Sequence, residues 1–125
     1  MAKSVLIIGE DPQYIDFSAP DAPPGMNAEK IIAGLNSARD RLAGAGYNAR
    51  IVLTKDEETV ESQVSDALKD NSYDVIVVGS GLRILPVMTA QFERLMNVLH
   101  QKAPTAKFAF NSKPDDSDIA ALRWL

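Results

Sequence analysis

Two stretches hold the residues best suited to chemistry. Gly79-Ser80-Gly81-Leu82-Arg83 closes an unbroken apolar run, Val75-Ile76-Val77-Val78, and Glu10-Asp11 follows another, Val5-Leu6-Ile7-Ile8, across Gly9. Glycines let a backbone come close to a ligand, the start of a helix beyond a strand offers unpaired N–H groups to an anion, and Arg83 would add a forked cation. The carboxylates of Glu10 and Asp11 suit a cation, a hydroxyl or an amine, and in an enzyme they would serve as base or metal ligand, with Ser80, Arg83 and Lys113 positioning substrate. Asn111-Ser112-Lys113 follows a third short apolar run and brings an amide, a hydroxyl and a second cation. Each set also has an ordinary reading: glycines that only turn the chain, and loop charges that are only solvated.

Several chemistries are disfavoured by the same residues. The dinucleotide fingerprint G-x-G-x-x-G fails at Ile84, and there is no Walker A loop. No cysteine is present, which excludes disulfides, thiolate metal sites and cysteine nucleophiles. His100 is the sole histidine, fourteen residues beyond Pro86. On a continuous helix that is about 20 Å from the strand ends, too far to form a triad with Ser80. No metal site and no cofactor is expected.

The elements that must position these residues read in order. Ser4 to Gly9 is a first strand, and Tyr73 to Val78 a central one buried on both faces, as strands of a helix-covered parallel sheet are. Between Glu10 and Asn27 four prolines and Gly25 leave a long irregular loop, whose Tyr14, Ile15 and Phe17 argue for packing against the body or a partner. Asn27 caps a helix with its apolar face at Ile31, Ile32, Leu35, Ala38, Leu42 and Ala45, ending at Gly44 or Gly46. Tyr47 to Leu53, interrupted by Asn48 and Arg50, suits an edge strand. Thr54 and Glu57 have the spacing of a capping box opening a helix to about Asp70. A strongly amphipathic helix follows Pro86, Lys107 to Phe110 is the fourth strand, and Asp115 to Leu125 is a short helix with Ile119, Leu122 and Trp124 facing inward.

Alternating strands and helices imply one three-layer α/β/α domain over residues 1–125, with a four-stranded parallel sheet in the order 2-1-3-4. Such a sheet binds ligands beyond the carboxyl ends of its strands, where the chain reverses direction between strands one and three. Gly79, Ser80, Gly81 and Arg83 with Asn111, Ser112 and Lys113 would form an anion-accepting rim there, and Glu10 and Asp11 its opposite wall.

This pattern resembles flavodoxin-like domains, in which a stretch such as Tyr73-Asp74-Val75-Ile76-Val77-Val78-Gly79-Ser80-Gly81 followed by a helix is common. The resemblance implies the fold and not the flavin: Glu10-Asp11-Pro12-Gln13-Tyr14 puts two carboxylates where a flavin phosphate would sit. Glu10, Asp11 and Lys113-Pro114 also resemble the acidic pair and lysine-proline of receiver domains. That resemblance breaks at Gly79 and Ser80, which stand where a phosphate-accepting aspartate is needed.

With 13 basic against 17 acidic residues, a net charge of -4 gives no footprint for nucleic acid or an anionic membrane, and neither is an expected partner. The run Val5 to Ile8 is too short for a secretory leader, so the location expected is cytoplasmic. The expected function is binding of a small anionic ligand or a protein partner at the strand ends. The alternatives are a small enzyme of hydrolase or transferase type and a degenerate receiver-like module. Two sheet edges and the apolar residues of the loop and C-terminus lead us to expect a homodimer.

Overall fold

The computed structural model describes residues 2–15, 17, 18 and 25–125. Four strands, Ser4–Glu10 (β1), Asn48–Thr54 (β2), Val75–Val78 (β3) and Lys107–Phe110 (β4), pair in parallel in the order β2-β1-β3-β4. Helices Ala28–Gly44 (α1), Val60–Leu68 (α2) and Thr89–Lys102 (α3) fill the three crossovers, and Ser117–Leu122 (α4) follows β4. This is the expected α/β fold and strand order, with the polar-interrupted β2 at an edge.

Side chains alternate across a strand, so the two central strands feed two cores. Leu6, Ile8, Ile76 and Val78 pack against Val60, Val64, Leu95 and Leu99 on the α2/α3 side. Val5, Ile7, Val75 and Val77 pack against Ile31, Leu35, Leu42, Ala120 and Ala121 on the α1/α4 side. All eight strand residues are fully buried. Burying each such side chain is worth about 1.5–3 kcal/mol relative to leaving it exposed, which makes β1 and β3 the rigid frame for whatever leaves their ends.

Four local expectations are corrected. Ile32 in α1 and Ala45 at its end are exposed, off the stripe that Ile31, Leu35, Ala38 and Leu42 bury. Thr54 does not cap a helix: it is the last residue of β2, fully buried, and its hydroxyl donates to the Gly9 carbonyl at 3.3 Å. Helix α2 starts at Val60 instead, after a turn in which Asp56 Oδ1 accepts the Thr59 N–H at 2.8 Å and the Thr59 hydroxyl at 2.7 Å. Ile119, Leu122 and Trp124 face outward, between 48 and 58% exposed, while Ala120 and Ala121 form the inner face of α4. The cause is Asp118, which receives the Arg41 guanidinium at 2.8 and 3.0 Å and sets the rotation of the helix against α1. The small alanines then sit close against the sheet.

The Asn27 cap is as expected, its side chain accepting the Lys30 N–H at 2.9 Å, and Gly46 leaves the helix with φ +96°. In the long loop Pro12–Tyr14 makes one 3-10 turn, and Ile15, Phe17 and Met26 pack onto the α1-side core, while Tyr14 is exposed. Pro20, Pro23 and Pro24 lie outside the described residues.

Candidate functional site

Beyond the carboxyl ends of β1 and β3, on the α1 side, lies a cavity of about 160 Å³. Its floor is backbone. Gly9 and Gly79 bring the two strand ends so close that a Cβ on Gly79 would meet the Ile8 carbonyl at 3.1 Å, and the Gly79 N–H donates to that same oxygen at 2.8 Å. Its walls are apolar: Ile31 and Leu35 from α1, Ile15, Phe17 and Met26 from the long loop, and Ile84 and Leu85 from the segment after β3. Its polar side chains are Glu10, Ser80 and Asn111.

Asn111 is buried and fully engaged. Its Oδ1 accepts the Ser80 N–H at 2.7 Å and its Nδ2 donates to the Ser117 hydroxyl at 2.9 Å. Glu10 is different. It is half-buried at the last position of β1, with no hydrogen-bond or ion-pair partner among the described residues, and burial pushes its carboxyl up to about 7. A Cβ on Gly81 would lie 3.5 Å from Glu10 Oε2, so the bare glycine leaves the carboxylate open on that side.

Of the nine residues singled out from the sequence, Glu10, Gly79, Ser80, Gly81 and Asn111 line this cavity together. The other four do not line it. Asp11 turns back to accept the Gln13 N–H at 3.0 Å and lies over a separate shallow groove with Glu29 and Asn36. Arg83 donates to the Asn111 carbonyl and lies over the Phe110 ring, 5.2 Å from its centroid. Ser112 is exposed, its N–H donating to Asp116 Oδ1 at 3.0 Å. Lys113 sits 3.8 Å from the Asp115 carboxylate and borders another groove with Lys30 and Arg41.

The expected helix start after Gly81 is also absent: Ser80–Leu82 is a single 3-10 turn, and α3 begins only at Thr89. The N–H groups of Leu82, Arg83 and Ile84 close that turn onto the Gly79 and Ser80 carbonyls. The polar rim is therefore largely internal wiring, and the open chemistry of the cavity is Glu10 and the Ser80 hydroxyl. Among the described residues no group of three or more His, Cys, Asp or Glu side chains is placed to hold a metal ion. None of the described helices is long and apolar enough to cross a membrane.

The apolar walls were the part missed from sequence. Ile15 and Phe17 stood out there as an apolar pair in a loop, but Met26, Ile84 and Leu85 had no pattern to single them out.

No family model matches the chain, and no curated protein matches it. Among solved structures it is similar to the crystal structure of a "putative lipoprotein" (fragment) from Peptoclostridium difficile 630, with TM-score 0.53 and 19% identity over 96% of this chain and 92% of that one. At that identity the likeness is one of fold. The four-stranded parallel sheet with interleaved helices is consistent with the flavodoxin-like architecture.

Proposed function

We propose that this chain is a small-molecule binding domain whose cavity takes a compact, largely apolar molecule at the ends of β1 and β3. One observation carries the reading: the cavity walls come from four separate segments, α1, the long loop, the segment after β3 and, through Pro114, the segment after β4, and nearly all are hydrocarbon. Binding sites of small molecules combine such walls with a few placed polar groups. The space is comparable with the roughly 150 Å³ that hold a benzene ring in an engineered apolar cavity.

The anionic ligand expected from sequence is less well supported. Arg83 and Lys113, the cations meant for it, are turned to the Asn111 carbonyl and to Asp115, and the group left in the cavity is a carboxylate. A thermal-shift screen of small aromatic and aliphatic molecules beside nucleotides and sugar phosphates tests the choice. A ligand that binds only the native state raises Tm by several degrees once well above its Kd. Apolar hits that vanish in Gly81→Leu, whose side chain would fill the space beside Glu10, support the reading; hits confined to phosphates would refute it.

One observation favours an enzyme as a second reading. A carboxyl group titrating at about 7 is matched to general-base work at neutral pH. Turnover of a bound molecule that rises through pH 7 and is lost in Glu10→Gln would favour this reading. A cytoplasmic location is proposed on the absence of cysteine. The structural neighbour's description as a lipoprotein makes an envelope location the outcome to test by cell fractionation.

A further inference from the structure

We propose that the molecule held in this cavity carries a primary ammonium group that lands on the Glu10 carboxylate, with the Ser80 hydroxyl accepting a second hydrogen bond; this rests on the cavity reading above. Among the described residues three polar side chains face the space, and one is already used. Both amide atoms of Asn111 are engaged, to the Ser80 N–H and the Ser117 hydroxyl. The Glu10 carboxylate and the Ser80 hydroxyl have no partner among the described residues. An ionised carboxylate only accepts, and a hydroxyl can accept beside it, so the pair calls for a group rich in donors.

The described charges nearby do not answer Glu10. Asp11 caps the Gln13 N–H, Lys55 beyond β2 is exposed, Arg83 beyond β3 is held at the Asn111 carbonyl, and Lys113 beyond β4 pairs with Asp115; none of the four lines the cavity. A carboxylate drawn partly out of water without a counter-charge is costly, and an ammonium brought by the ligand offsets that cost with a charge-assisted hydrogen bond, about twice as strong as a neutral one. An alcohol would supply a single hydrogen bond and no counter-charge, and a carboxylate ligand would be repelled.

The direction with pH follows. Burial holds the free Glu10 carboxyl at about 7, so below that pH the group is protonated and the ion pair is lost, while above it the pair is complete. Affinity for an amine therefore rises with pH through 7 and then levels off.

The test is calorimetric titration of the full chain with three probes that share one body: 2-phenylethylamine, 2-phenylethanol and phenylacetate, at pH 8 and pH 5.5. We expect the amine to bind about tenfold or more tightly than the alcohol at pH 8, with phenylacetate weakest, and the preference to shrink at pH 5.5. Glu10→Gln, which removes a partly buried charge and keeps the side-chain size, should bring amine and alcohol to within about threefold of each other. Should the alcohol bind and the amine bind no better, the ammonium is overturned and the cavity reading stands. If none of the probes binds, the cavity reading itself fails and the ammonium with it.

Discussion

The side-chain oxygen of Asn111 accepts the backbone N–H of Ser80 at 2.7 Å, tying the turn after β3 to the end of β4. Its amide nitrogen passes the link on to Ser117, at the start of α4. Removing a buried hub of this kind strands the Ser80 N–H and takes one of two partners from the Ser117 hydroxyl, which also donates to the Pro114 carbonyl at 3.0 Å. Asn111→Ala should lose about 2–4 kcal/mol in urea denaturation, since a stranded group costs about 1–3 kcal/mol and the lost bond to Ser117 adds about 1 kcal/mol. Ser117→Ala, which removes the hydroxyl that accepts from Asn111 and donates to the Pro114 carbonyl at 3.0 Å, should lose about 1–3 kcal/mol.

Gly79 is set by space and not by its dihedral angles. Its φ of -68° suits any residue, yet a Cβ would meet the Ile8 carbonyl at 3.1 Å and Gly9 Cα at 3.5 Å. Both obstacles are backbone of the central strand and do not swing aside. Gly79→Ala should cost about 1–3 kcal/mol, whereas Gly44→Ala, on an open helix surface, should be neutral or slightly stabilising. Equal effects in thermal melts would contradict the close approach.

The Arg41–Asp118 pair fixes how α4 sits on α1, and it is pH-sensitive. The hydrogen bonds from Arg41 hold the Asp118 carboxyl below its ordinary value. The unfolded chain then binds the extra proton first, so the stabilisation is complete above about pH 4–5 and is lost as pH falls through the native value. Asp118→Asn should lower stability near neutrality by about 1–2 kcal/mol, and the gap to wild type should close toward pH 3. A gap that is constant with pH would show that the pair contributes only shape.

Ile119 and Leu122 on α4 and Trp124 just after it stand exposed, beside the open edge of β4, where Phe110 is also partly exposed. We predict that the homodimer expected from the sequence forms on this face. Light scattering at high micromolar concentration should give twice the chain mass of 13.6 kDa. Trp124→Glu with Leu122→Glu should return it to the monomer. A monomeric wild type would dispose of the dimer.

How far the sequence could be read depends on what decides each feature. Strands β1 and β3 were legible because two runs of four aliphatics can only be buried on both faces, and a cavity lies at the switch between them. Topology also brought Glu10, Gly79, Ser80, Gly81 and Asn111 to one place. It could not say where long side chains go. Arg83 turned to a carbonyl and an aromatic ring, and Lys113 to its neighbour Asp115, contacts that depend on local backbone direction. The orientation of α4 was hidden for a related reason: hydrophobicity favours Ile119 and Leu122 inward, but a single ion pair and two small alanines decided the rotation. The cavity walls were illegible because they are assembled from Ile15, Ile31 and Ile84, residues far apart in the chain with no shared period.

Backbone amide NMR of the full chain titrated with 2-phenylethanol reports both whether the space beside Glu10 takes a compact apolar body and where that body sits. Saturable shifts centred on Ile31, Leu35, Ser80, Gly81 and Ile84 are expected, and their loss in Gly81→Leu. Shifts that stay linear with concentration, or that centre on the exposed α4 face around Leu122 and Trp124, would contradict binding in that space.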